Sequence, residues 1–175
     1  MDYNKATIYQ PRTWPRAIAL VDMNAFFASI EQGDHAEWRG RPVAITNGRQ
    51  GTCIITCSYE ARAYGIKTGK RLTQARQLSP ELIQCPAHPE RSAARAADIM
   101  ESLQDITPDI EIFSVDEAFL DITRCQRLLG APPRIAKLAK QKVFDASGIL
   151  CSIGVSGDKT TAKFAAKLNK PDGLT

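Results

Sequence analysis

Two apolar stretches of this chain run straight into carboxylates. Arg16-Ala-Ile-Ala-Leu-Val21 ends at Asp22, and Phe113-Ser114-Val115 leads into Asp116 and Glu117 before Ala118-Phe119-Leu120 resumes. A strand tip packed against other backbone is a costly place for a charge unless something pairs it. Any fold open to this chain must therefore bring a positive group to both tips, and a metal ion shared between them would serve.

The patterns around the tips suggest how they meet. Asn24 is placed to cap a helix through Ala25, Phe26, Phe27, Ala28 and Ile30. Pro42 to Thr46 and Thr52 to Cys57 read as strands of a hairpin joined by Asn47-Gly48-Arg49-Gln50-Gly51. Leu72 to Leu78 predicts a short helix stopped near Ser79-Pro80, and Leu82 to Cys85 a strand. From Pro89 to Ile106, Ala93, Ala97, Met100 and Leu103 recur at helical spacing. Ile110 to Ser114 and Ala118 to Ile122 read as two antiparallel strands with the acids at their junction. Pro132-Pro133 opens a helix carrying Ile135, Leu138, Ala139 and Val143, with Gly148 past its end. Leu150 to Val155 is the last strand, and Asp158 caps a helix from Lys159 to about Asn169.

With residues 26–87 set aside as an insertion, the order is β-α-β-β-α-β, the split βαβ arrangement of ferredoxin-like folds. The expected class is α+β, an antiparallel sheet with helices carrying a small inserted α/β subdomain. In that topology the third strand lies antiparallel between the first and second. Asp22 therefore comes to the same edge as Asp116 and Glu117.

The chain has 175 residues, 43% of them hydrophobic and 24% charged, which suits one core with a modest inserted lobe. No apolar run approaches the ~20 residues of a membrane span. Residues 1–16 read as a leading arm without a secretory apolar segment, so a cytoplasmic location with no membrane partner is the default. Cys53, Cys57, Cys85, Cys125 and Cys151 read as structural thiols, small core residues of a reducing compartment, rather than a zinc clip. The net charge is +4, and Arg134 to Lys170 holds eight basic residues against Asp145 and Asp158, 8 − 2 = +6. Solvated helix faces account for such lysine runs, and contact with a polyanion is the alternative.

Three carboxylates at one edge repel unless cations neutralise them, and an all-oxygen set selects Mg²⁺ or Mn²⁺. Two such ions can activate an attacking oxygen and stabilise a leaving one in phosphoryl transfer. The plainer alternative is that Asp22 or Glu117 pairs with a lysine or caps a turn. Inside the insertion, Tyr59 and Arg62 stand at i and i+3, which puts a hydroxyl beside a guanidinium on one helical turn. That pair suits a phosphate oxygen, and also suits simple surface packing.

Four segments together resemble the Y-family translesion DNA polymerases of the DinB and UmuC type: Val21 to Ser29, Ser58 to Gly65, Ser114 to Asp121, and Ser152 to Ser156 with Ala165 to Gly173. The resemblance covers about Ala17 to Gly173. It implies a palm over 17–25 and 88–175, fingers over 26–87, and an end at Thr175 before the thumb and little-finger domains. It implies that Asp22, Asp116, Glu117 and the Met23 carbonyl hold two Mg²⁺ ions, with Mn²⁺ as a substitute. Tyr59 and Arg62 would hold the incoming triphosphate, Lys170 would reach it from the palm, and Phe27 would be the steric gate against a 2′-hydroxyl, leaving Phe26 to the core. Ser114 and Thr56 are weaker site candidates. The implied activity is low-fidelity, template-directed DNA synthesis in DNA repair and the SOS response. The implied partners are primer–template DNA, deoxynucleoside triphosphates and, through regions outside this chain, a sliding clamp. Asn24 stands where many DinB-like members carry an acid, and UmuC-like members resemble this chain at that position. A nucleotide cyclase on a similar palm and a non-catalytic, polymerase-derived interaction subunit are the rival readings. The Tyr59–Arg62 and Lys170 motifs weigh against the first, and the presence of all three acids against the second.

Overall fold

A computed structural model describes residues 14–175; the leading arm expected over 1–16 lies outside them as far as residue 13. The strands are β1 (Ile18–Met23), β2 (Val43–Thr46), β3 (Ile54–Cys57), β4 (Ile83–Pro86), β5 (Ile110–Ile112), β6 (Glu117–Asp121) and β7 (Cys151–Ser156). The helices are α1 (Phe26–Asp34), α2 (Tyr59–Ala63), α3 (Leu72–Leu78), α4 (Pro89–Gln104), α5 (Gln126–Leu129), α6 (Pro132–Ser147) and α7 (Lys159–Leu168).

The larger sheet has the order β5-β6-β1-β7, with each neighbouring pair antiparallel. This is the split βαβ arrangement expected from the element order. Period-two alternation divides its residues between two faces. Ala19, Val21, Met23, Ala118, Leu120, Cys151 and Ile153 join Ile99 and Leu103 of α4 and Ile135, Ala139 and Val143 of α6 in the main core. Ile18, Leu20 and Phe119 point the other way and pack on Ala162 and Ala166 of α7. Asp22 and Glu117 follow the second set in phase and are partners in the β1–β6 register. Alternation thus sends both acids to the α7 face.

Gly154 shares that face and lets α7 lie against the sheet: a Cβ there would come within 2.1 Å of the Ala162 carbonyl and 2.2 Å of the Ala166 amide. Asp158 caps α7 by accepting from the Thr161 amide at 2.8 Å, as its position predicted. The insertion forms a second sheet, β3-β2-β4, in which β2 and β3 make the expected hairpin and β4 runs parallel to β2. Helix α1 serves both cores, giving Phe26 and Ile30 to the larger and Ala28 to the smaller. Among the described residues no helix is long and apolar enough to cross a membrane.

Three local expectations need correction. Helix α4 buries Ser92, Ala96, Ile99, Met100 and Leu103, while Ala93 and Ala97 are exposed, because bulky Ile99 and Leu103 set the phase and alanines add little burial energy. Leu138 of α6 is likewise exposed, and Ala136 takes the buried position. All five cysteines are free, but only Cys57, Cys85 and Cys151 are buried, with Cys125 half-buried and Cys53 exposed.

Candidate active site

The acids at the two strand tips lie together, as topology predicted. Asp22, only 5% exposed, stands opposite Glu117, and the Met23 amide donates to the Asp116 carbonyl at 3.0 Å, which ties the two segments. The Ser114 hydroxyl donates to Asp116 Oδ1 at 2.7 Å and lies 3.4 Å from Glu117 Oε2. It fixes how those carboxylates face.

Two ammonium groups stand on these acids. Lys170 Nζ donates to Asp22 Oδ1 at 2.5 Å. Lys163 Nζ reaches both Glu117 oxygens at 2.7 Å and sits 4.1 Å from the centre of the Phe113 ring, a cation–π contact that steadies it. Burial pushes the Asp22 carboxyl above its ordinary value, and the charges of Glu117 and Asp116 push the same way, against the Lys170 ammonium. The edge is a place where negative charge is in excess and cations are drawn in. The lysine pairing expected as the plainer alternative is thus present.

Asn24 does not cap α1. Position Ala25 is the cap, at φ 46°, with no side-chain hydrogen bond. The Asn24 amide donates instead to Ser152 Oγ at 3.0 Å, and its Oδ1 accepts from the Asp172 amide at 2.7 Å. It therefore braces the loop that delivers Lys170. The partners are too distant along the chain for a local sequence signal to reveal them.

In the insertion, the Arg62 guanidinium stacks 4.4 Å from the Tyr59 ring centre, and its Nε donates to the Cys57 carbonyl at 3.2 Å. The Tyr59 hydroxyl is buried with no hydrogen-bond partner among the described residues. Phe27 is half-buried, edge-on to Phe26 at 5.5 Å, and packs against both the main core and the Ala25, Val43 and Ile45 cluster that also carries Tyr59. Phe27 therefore stands between the main core and the cluster that carries Tyr59, and Phe26 is core, 2% exposed. Thr56 is half-buried in β3 opposite Ile45. A cleft of about 620 Å³ borders Tyr59 and Pro171 but is not lined by the three acids. Lys163 was not singled out from the sequence; its signal was its place on α7, the element that the alternation of Asp22 and Glu117 faces.

Residues 21–167 match the impB/mucB/samB family. The chain belongs to this family. The matched segment takes in both acidic tips, the Tyr59–Arg62 pair and Lys163, with Lys170 just beyond it. Among curated impB/mucB/samB relatives, the DNA polymerase IV of Treponema denticola is 38% identical over 154 residues, covering 88% of this chain and 39% of that protein. The DNA polymerase IV of Moorella thermoacetica is 40% identical over 163 residues, covering 91% of this chain and 40% of that protein. The chain thus spans about two fifths of the length of these relatives. Of solved structures, an insertion ternary complex of Dbh DNA polymerase matches with a TM-score of 0.82 and 32% identity over 90% of this chain and 47% of that one. The crystal structure of DinB from Sulfolobus solfataricus matches with a TM-score of 0.82 and 31% identity, again over 90% and 47%. The α+β fold is that of the palm and fingers of Y-family polymerases.

Proposed function

We propose that this impB/mucB/samB chain carries the nucleotidyl-transfer centre of a low-fidelity, template-directed DNA polymerase that copies damaged DNA in the cytoplasm, with its palm over 17–25 and 88–175 and its fingers over 26–87. The observation that carries the reading is the pairing of Asp22 with Glu117 across β1 and β6, with Asp116 adjacent and two ammonium groups drawn onto the cluster. The relatives named as DNA polymerase IV, and the ternary complex of Dbh DNA polymerase, support the same reading.

The donor set fits hard divalent cations: three carboxylates and a backbone carbonyl, all oxygen, at an edge that already gathers positive charge. Two Mg²⁺ ions, or Mn²⁺ in their place, held by Asp22, Asp116, Glu117 and the Met23 carbonyl, would activate the primer 3′-oxygen and neutralise the departing pyrophosphate. Ser114 keeps the carboxylate of Asp116 turned toward the site. Arg62 and the Tyr59 hydroxyl, which has no partner among the described residues, bind the triphosphate through charge-assisted and neutral hydrogen bonds. Lys170 turns from Asp22 to the same triphosphate, on a loop that Asn24 holds in place. The Phe27 ring closes the sugar position against a 2′-hydroxyl, and Thr56, opposite Ile45 on β3, is a lesser contact to the nucleotide. Positioning and charge neutralisation are the main catalytic contributions, as in phosphoryl transfer generally.

Primer extension with Mg²⁺ tests this, comparing the chain with its Asp116→Ala and Phe27→Ala variants. Slow, distributive extension is expected, falling by about 10²-fold or more in Asp116→Ala, with Phe27→Ala admitting ribonucleotides. Equal extension by the Asp116→Ala variant would remove the metal assignment, and unchanged sugar selection would remove the gate.

A further inference from the structure

Away from the acid edge, three unlike donors from separate elements converge. Glu31 near the end of α1, Cys85 in β4 and His88 at the start of α4 place a carboxylate oxygen, a thiol and an imidazole nitrogen within 4.8 Å of one another. Glu31 is 3% exposed and Cys85 3%, so the carboxylate and the thiol are fixed by burial. The hydrogen bonds to Glu31 divide between its two oxygens. Arg91 Nη1 donates to Oε2 at 3.1 Å, while Oε1 lies 2.8 Å from His88 Nδ1. His35 Nδ1 stands 3.7 Å from Oε2. Arg91 thus balances the Glu31 charge from one side and leaves Oε1 on the side of the imidazole.

We infer that Glu31, Cys85 and His88 form a binding site for a zinc-type divalent cation at the junction of the inserted sheet with the helices of the larger domain. A sulfur, nitrogen and oxygen set is the ligand chemistry of borderline-soft ions such as Zn²⁺ and Co²⁺, and a poor one for Mg²⁺. This separates the site from the all-oxygen edge at Asp22. With three protein donors, water completes a tetrahedral shell, and the His88 side chain, 40% exposed, leaves the way open for it. At about 2.0–2.1 Å from a tetrahedral ion, oxygen and nitrogen ligands stand about 3.4 Å apart, so His88 Nδ1 moves outward from its present 2.8 Å by a fraction of an ångström. The Cys85 thiol proton leaves to solvent as the sulfur–metal bond forms, since a coordinating thiol is deprotonated. Burial and the neighbouring Glu31 push that thiol up to about 12 without an ion, so in the free protein Cys85 is a neutral thiol. The sequence carries a trace of the site in Cys85-Pro-Ala-His88, where the end of β4 runs into the start of α4, with Glu31 supplied by the fold.

Cobalt titration of the full chain carrying Cys53→Ser, which removes the exposed thiol, tests the inference independently of polymerase activity. A thiolate-to-cobalt charge-transfer band saturating at one equivalent is expected, absent from the further Cys85→Ala variant and weakened by about tenfold or more in affinity by His88→Gln. No band at excess Co²⁺, or a band that survives Cys85→Ala, overturns the site. His88→Gln alters a half-exposed position, so it decides the matter even if Cys85→Ala loses the fold: unchanged cobalt affinity in that variant also overturns it.

Discussion

The Tyr59 hydroxyl is buried and has no hydrogen-bond partner among the described residues, a condition that costs on the order of 1 kcal/mol or more in a resting protein. Under the proposed function that hydroxyl gains its partner from the bound triphosphate. Tyr59→Phe should therefore raise stability in urea denaturation by about 1 kcal/mol while raising KM for the incoming nucleotide. A variant that loses stability and keeps its KM would show that the hydroxyl serves the fold. Asp22, Asp116 and Glu117 were legible in the sequence because a charge at the end of an apolar run calls for an explanation. Asn24 was misassigned as a cap because its partners, Ser152 and the Asp172 amide, lie far along the chain. Lys163 was missed because nothing local marks which lysine of a basic helix meets an acid.

Among the elements, α7 decides the geometry of the site. It lies on the sheet only because Gly154 has no side chain, and from there Lys163 meets Glu117. Gly154→Ala would drive a methyl into the backbone of α7 and should cost about 3 kcal/mol, the upper range for overpacking, read as a lower urea midpoint. An unchanged midpoint would mean that α7 is not seated as described. The strands and helices themselves were legible from period and punctuation: the hairpin around Gly48, the helix opened by Pro132-Pro133, the cap at Asp158. The phase of α4 was not, since Ala93 and Ala97 match the helical spacing as well as Ala96 does, and only the bulk of Ile99 and Leu103 settles which face turns inward.

For the whole molecule, the basic C-terminal segment turns out to be largely spent on internal pairs. Lys140 meets Asp172, Lys142 meets Asp105, Lys159 meets Glu111, Lys163 meets Glu117 and Lys170 meets Asp22. Arg134, Lys137 and Lys167 form no ion pair among the described residues, and under the proposed function they are free to meet phosphate. Since log affinity falls by about 0.9 per tenfold rise in salt for each phosphate neutralised, these three unpaired cations would contribute a salt slope of about −3. Fluorescence anisotropy should show weak duplex binding that falls steeply with salt, and tight binding at physiological salt would contradict it. The topology that gathers the acids was legible from element order; how the lysines are shared was not, because it depends on which faces meet. The central claim is that this gathered edge holds divalent cations for nucleotidyl transfer. Its most direct measurement is Mn²⁺ binding followed by electron paramagnetic resonance, in the chain and in an Asp22→Asn/Asp116→Asn variant. The account predicts that the unaltered chain takes up Mn²⁺, more tightly with a deoxynucleoside triphosphate present, and that the variant loses this uptake. Equal uptake by both proteins would contradict it.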